Sequence, residues 1–168
     1  MDTASPYFKT RDLKIPPHSI EAEKALLGSI LIRGEAMHDI VDVVAESSFY
    51  SNQHRMIWAT LLELHTKGSP IDLLTVSARL KEKEQLEQTG GMAYLSEVIN
   101  SVPSSTNADH YAMIVEKKHG MRELLRVSEQ ISGLGYDEDL DLHELLEKAE
   151  QALYNVTNKT GSHKFIAM

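Results

Sequence analysis

The chain has 168 residues, room for one domain or a compact domain with an appendage and too few for two catalytic domains. Its composition, 42% hydrophobic and 25% charged with 5 prolines and 9 glycines, is that of a soluble folded chain and excludes a disordered one. A formal charge of −8 disfavours a broad contact with phosphate, and without cysteine there is no disulfide, thiolate nucleophile or cysteine metal site.

Residues 1–15 read as a polar, irregular N-terminal arm, and nothing between Met1 and Arg11 resembles the apolar core of a signal peptide. Pro16-Pro17 stiffens the entry to a first helix, with Ser19 and nearby Glu23 as its cap region. From Ile20, the positions Ala22, Ala25, Leu26, Ser29, Ile30 and Ile32 recur at helical spacing until Arg33-Gly34 interrupts them. Met37, Ile40, Val41 and Val44 predict a short second helix, and Phe49-Tyr50 are aromatic anchors for the core. Ser51 caps a third helix whose apolar face is Met56 or Ile57, Trp58, Leu61, Leu62 and Leu64, stopped at Lys67-Gly68. Asp72 caps a fourth carrying Leu73, Val76 and Leu80. Gly90-Gly91 opens a fifth with Tyr94, Leu95, Val98 and Ile99, ended by Pro103. Residues 16–103 thus form a globular helical head.

Ser104 to Asn107 is a polar start signal, and the pattern after it runs to about Ser132, longer than any helix before it. The stretch from Gly133 to Asp139 breaks it. Leu142, Leu145, Leu146, Ala149, Leu153 and Val156 then stripe a closing helix. Two amphipathic helices joined by a short turn make an antiparallel hairpin over 104–158, with one face that its own partner helix does not cover. That face either docks on the first helices or meets another chain. The expected fold is all-α, a globular helical head followed by an antiparallel helical hairpin, without strands or internal repeats. Residues 159–168 read as the start of a linker. No apolar run approaches the roughly 20 residues of a membrane span, so no membrane contact and a cytoplasmic location are expected.

Signals for chemistry are few. None of the glycines fits the spacing of a P-loop. Gly133 and Gly135 open no dinucleotide-binding turn, because position 138 is Glu and no strand precedes them. Asp137, Asp139 and Asp141 match the first ligands of an EF-hand loop, but Leu142 and Lys148 occupy its glycine and glutamate positions. Acidic residues at a helix start explain the run. His54, His65, His110 and His119 form no ligand pair at helical spacing, and there is no G-x-S-x-G elbow. The expectation is a non-enzyme with no catalytic residue, cofactor or metal. The one basic cluster, Lys117, Lys118, Arg122 and Arg126, is interleaved with Glu116, Glu123 and Glu129 and reads as a solvated, salt-bridged helix face. The alternative, a small helical DNA-binding regulator presenting a basic helix to the major groove, runs against the acid excess.

The segment Ile15-Pro-Pro-His-Ser-Ile-Glu-Ala-Glu-Lys-Ala-Leu-Leu-Gly-Ser-Ile-Leu resembles the opening of bacterial DnaB-type replicative helicases. Phe49-Tyr50, His54-Arg55-Met56-Ile57, Gly68-Ser-Pro-Ile-Asp72-Leu-Leu-Thr75, Gly90-Gly91-x-x-Tyr94-Leu95 and Pro103-Ser104-x-x-Asn107-x-x-x-Tyr111-Ala112-x-Ile114-Val115-x-Lys117 follow in that family's order. Each is weak alone; in register they are strong, and the resemblance covers roughly Ile15 to Val156.

The resemblance implies an all-α N-terminal domain whose hairpin pairs with a neighbour's, three pairs making the collar of a hexamer that docks the helicase-binding domain of primase. A helicase loader is a further implied partner. It also implies that a RecA-like motor domain, with its ATP, Mg and DNA contacts, would follow a linker from about Lys159. This sequence ends before it, so no catalytic residue carries over. The candidate oligomer-interface residues are Tyr111, Ile114, Met121, Leu125 and Ile131 on the long helix, with Leu142, Leu146, Leu153 and Val156 on its partner.

Overall fold

A computed structural model describes residues 14–161. Most of the expected N-terminal arm and residues 162–168 of the expected linker lie outside the described residues. Seven α-helices and three short 3₁₀ turns make up the described chain, which contains no strand. The helices are α1 (Ile20–Ile32), α2 (Met37–Ile40), α3 (Asn52–Thr66), α4 (Leu73–Glu82), α5 (Gly91–Asn100), α6 (Ala108–Leu134) and α7 (Leu142–Gly161).

Local chemistry sets most of the boundaries. Ser19 accepts from the Ala22 amide at the start of α1, Ser51 from that of His54 at α3, and Asp72 from that of Thr75 at α4. At α4 the Thr75 hydroxyl also accepts from the Asp72 amide, a reciprocal capping box. Gly68, at φ +68°, takes the left-handed conformation that ends α3. Asp141 accepts from the Glu144 amide where α7 begins, so the acidic run before that helix serves its first turn.

α1 is the axis of the head. Leu26, Leu27 and Ile30 are fully buried against the other helices, and Gly28 lets α5 approach so closely that an added Cβ would strike the Val98 carbonyl and the Val102 side chain. Met37, Ile40, Phe49, Ile57, Trp58, Leu61, Val76, Leu80, Leu95 and Val98 belong to the same core. The core does not stop at residue 103, because Ala108, Tyr111, Ala112 and Val115 of α6 belong to it. α6 is therefore shared. Its first turns are a head helix, and its later turns pair with α7 around a second, thin core of Val127, Ala152 and Val156 with Ile131 against it.

Three expectations need correction. The second helix is only four residues long, since Val41 to Val43 form a turn that brings Val44 into the core without further helix. Tyr50 is not a core anchor. Phe49 is buried, but Tyr50 turns outward and stacks on His18 with ring centroids 4.2 Å apart. α7 runs to Gly161, past the expected linker start at Lys159, because no helix breaker precedes that glycine.

Candidate assembly surface on the hairpin

The hairpin residues singled out by periodicity fall into three groups. Tyr111 is buried and Ile114 half-buried, both against the head core, where they fasten α6 to α1. Ile131 and Val156 belong to the seam between α6 and α7. Met121, Leu125, Leu142, Leu146 and Leu153 stay exposed, Leu142 at 70% and Leu146 at 54% of its free area. The split follows from diameter: one helix of small cross-section covers only part of its partner's apolar stripe.

Sequence reasoning passed over further members of this exposed set. Leu124, Tyr154 and, at the hairpin turn, Tyr136 are also exposed large side chains. Leu124 and Tyr154 adjoin selected positions, and an apolar arc wider than a strict 3-and-4 stripe was the available signal.

The interleaved charges on α6 are not simply a solvated face. Arg126 does pair with Glu123 one turn away, at 2.9 Å. Arg122 instead reaches into the head, where one guanidinium nitrogen donates to the Pro17 carbonyl and another to the Ser48 carbonyl, each at 2.8 Å. It also lies 5.6 Å from the centre of the Tyr50 ring. Burial draws the Arg122 pKa down from its ordinary value, with Glu23 pulling the other way. Glu116, six residues earlier on α6, accepts a hydrogen bond from the Ser48 hydroxyl. Beside these contacts is a cleft of about 430 Å³, walled by Val41 to Ala45, by Glu116, His119 and Glu123, and by Val156 and Lys159 of α7. Burial lowers the pKa of His119 in that wall, against the opposing pull of Glu116 and Glu123.

Deeper in the head is a polar chain that no spacing rule foretold. His54 Nδ1 lies 2.7 Å from Glu23 Oε1, and its Nε2 2.6 Å from the Tyr94 hydroxyl. The same carboxylate accepts from the backbone amides of Tyr50, at 2.9 Å, and Ser51, at 3.3 Å. The arrangement fits His54 Nδ1–H donating to the Glu23 carboxylate and the Tyr94 hydroxyl donating to Nε2, so both ring nitrogens have a partner. Partial burial, assisted by Glu97 and Glu23, pushes the Tyr94 pKa up to about 12. Glu23 is thus a structural acceptor in the interior and not part of the α1 cap. The three residues come from three separate segments of the family resemblance. Among the described residues, no group of three His, Asp or Glu side chains could hold a metal ion, and no helix is long and apolar enough to cross a membrane.

Residues 15–117 match the family model of the DnaB-like helicase N-terminal domain. The chain belongs to that family. It is 37% identical over 152 residues to the replicative DNA helicase DnaB of Geobacillus stearothermophilus, an alignment covering 90% of this chain and 34% of that protein. It is 36% identical, with the same coverage, to the replicative DNA helicase DnaC of Bacillus subtilis. The chain spans about a third of the length of these relatives.

Among solved structures, it is similar to the N-terminal domain of the Mycobacterium tuberculosis DnaB helicase, with a TM-score of 0.79 and 31% identity over 83% of this chain and 99% of that one. It is also similar to a DnaB-like replicative helicase whose structure describes its interactions with primase, with a TM-score of 0.69 and 27% identity over 82% of this chain and 31% of that one. The part so matched is the N-terminal domain of DnaB-like helicases.

Proposed function

We propose that this DnaB-like domain is the assembly and primase-docking module of a hexameric, ATP-dependent replicative helicase acting in the cytoplasm of a bacterium. The observation that carries the reading is the uncovered apolar face of the hairpin, where Met121, Leu124 and Leu125 of α6 and Leu142, Leu146, Leu153 and Tyr154 of α7 are exposed. Large apolar side chains left exposed together favour an interaction site. Burying each large apolar side chain contributes about 1.5–3 kcal/mol, so several together can outweigh the cost of association when they pack well.

The occupant of this face is a second copy's hairpin, and three such pairs form the collar of the ring. Primase, through its helicase-binding domain, docks on the assembled collar. The similarity to a DnaB-like helicase that interacts with primase supports that partner. A helicase loader is a further partner. ATP, Mg and DNA are handled by the motor domain of the parent protein, not by this one.

Light-scattering mass over a wide range of loading concentrations tests the reading, with the native chain beside Leu146→Glu. Mass rising toward dimer or hexamer, and lost in a variant of unchanged helicity, is the expected result. A monomer at every concentration overturns self-assembly through this face. Duplex binding that weakens steeply with salt would instead favour the DNA-regulator reading.

A further inference from the structure

The hairpin leaves the head through a stretch of α6 that is held in an unusual way. Val115 is the last residue of α6 in the head core, and Val127 is the first in the hairpin seam. Among the described residues, none between them is buried. Among the described residues, the hydrogen bonds from this stretch to the head are those of Glu116 with the Ser48 hydroxyl and of Arg122 with the carbonyls of Ser48 and Pro17. Between the two ties is Gly120, the least helix-favouring residue apart from proline, with no side chain to brace the turn.

Ser48, the shared anchor, is itself firmly placed. It is buried, and its neighbours Tyr50 and Ser51 are held by the Glu23 carboxylate, which His54 and Tyr94 hold in turn. Pro17 sits at the entry to α1, and the Arg122 guanidinium lies over Tyr50, whose ring stacks on His18. Arg122 therefore joins a weakly braced helix segment to two fixed points of the head. On the neighbouring side lies the cleft between Val41 to Ala45 and the end of α7.

From this geometry we infer that α6 contains a hinge at Gly120 and that Arg122 is its latch, fixing the angle between hairpin and head. Two directed hydrogen bonds from one planar guanidinium set an angle in a way that a single ammonium cannot. Releasing them leaves both cores intact, because neither core contains Arg122. The released hairpin then samples a range of angles, and a collar built from hairpins changes its aperture with them. This last consequence rests on the assembly reading; the hinge itself does not.

The chain's lack of cysteine allows a direct test. Spin labels are placed through Leu74→Cys on α4 and Tyr136→Cys at the hairpin turn, both highly exposed, and the labelled chain is diluted into unlabelled protein so that only distances within one copy are read. With Arg122 present, a single narrow distance distribution is expected. Arg122→Ala is expected to lose the narrow peak and give a broad, shifted distribution, while Arg126→Ala, whose pair is confined to α6, leaves the peak unchanged.

Adding Gly120→Ala to Arg122→Ala is expected to narrow the distribution again, since alanine stiffens the helix at the pivot. A narrow, unshifted peak in Arg122→Ala overturns the latch, and a distribution still broad after Gly120→Ala overturns the hinge position. If Arg122→Ala loses helicity, Arg122→Lys, which keeps the charge without the fork, takes its place in the same measurement. Oligomeric mass, recorded on the same samples, separates a failure of the latch from a failure of self-assembly.

Discussion

The Glu23 carboxylate and the His54 imidazole meet 2.7 Å apart across 31 residues of chain, with both side chains sealed from solvent. Their pairing links α1 to α3, and through Tyr94 it reaches α5. The Tyr50 and Ser51 amides that donate to Glu23 place the turn before α3.

Glu23→Ala is therefore expected to be far more damaging than its surface neighbour Glu21→Ala. It strands a buried imidazole and two backbone amides, a loss of about 3–5 kcal/mol by analogy with broken buried pairs. Tyr94→Phe leaves one nitrogen of the buried His54 ring without its hydroxyl partner and should cost less, about 1–3 kcal/mol. Urea unfolding of the variants, followed by circular dichroism, orders them; equal midpoints for Glu23→Ala and Glu21→Ala would show that the network contributes nothing.

Acid should weaken the contact between α3 and α4. Glu63 accepts from the Arg79 guanidinium at 2.9 Å, and this hydrogen bond, with those from Lys67 and Lys83 and against some desolvation, lowers its pKa to about 2. A depressed folded-state pKa means a contribution that is present above the unfolded value near 4.5 and is lost as pH falls from there toward about 2. Glu63→Gln should flatten the stability profile over that window. A profile as steep as that of the unmodified chain would place the acid sensitivity elsewhere.

Gly28→Ala should destabilise the head although alanine is the better helix former. The added methyl meets the Val98 carbonyl and the Val102 side chain at the closest approach of α1 and α5. Overpacking of this kind costs about 1–3 kcal/mol, more than the roughly 0.5–1 kcal/mol gained from helix propensity. The thermal midpoint is expected to fall, and a rise would mean that α5 shifts freely away from α1.

The hairpin should separate stability from association. Leu146→Glu changes an exposed side chain and is expected to leave chain stability within about 0.5 kcal/mol. Val127→Asp buries an unpaired carboxylate in the α6–α7 seam and should unfold α7. Hydrogen exchange over α7 distinguishes the two: native protection in Leu146→Glu, lost protection in Val127→Asp. Lost protection in both would show that the exposed face supports the monomer.

Much of the helical architecture is readable in the residues themselves. Ser19, Ser51 and Asp72 cap the helices they precede, and Gly68 ends one, because capping is chemistry within a single turn. Val41 and Val44 misled for a related reason. Apolar spacing records which positions are buried, and a turn buries Val44 as well as a helix would. The hairpin stripe is legible as a stripe, but Tyr111, Val156 and Leu146 are alike in periodicity while the first two are buried and the third is exposed.

The sequence by itself determined the helical class, the order of the helices, most of their boundaries and the family to which the chain belongs, since propensity, capping and motif order are properties of neighbours along the chain. Only the tertiary structure decided that Glu23, His54 and Tyr94 form one network, that Arg122 leaves its helix face to grip two carbonyls of the head, and which part of the hairpin stripe stays uncovered. Those outcomes depend on packing. Whether a polar side chain meets a partner or water is set by segments far apart in the chain, whose approach no local pattern encodes.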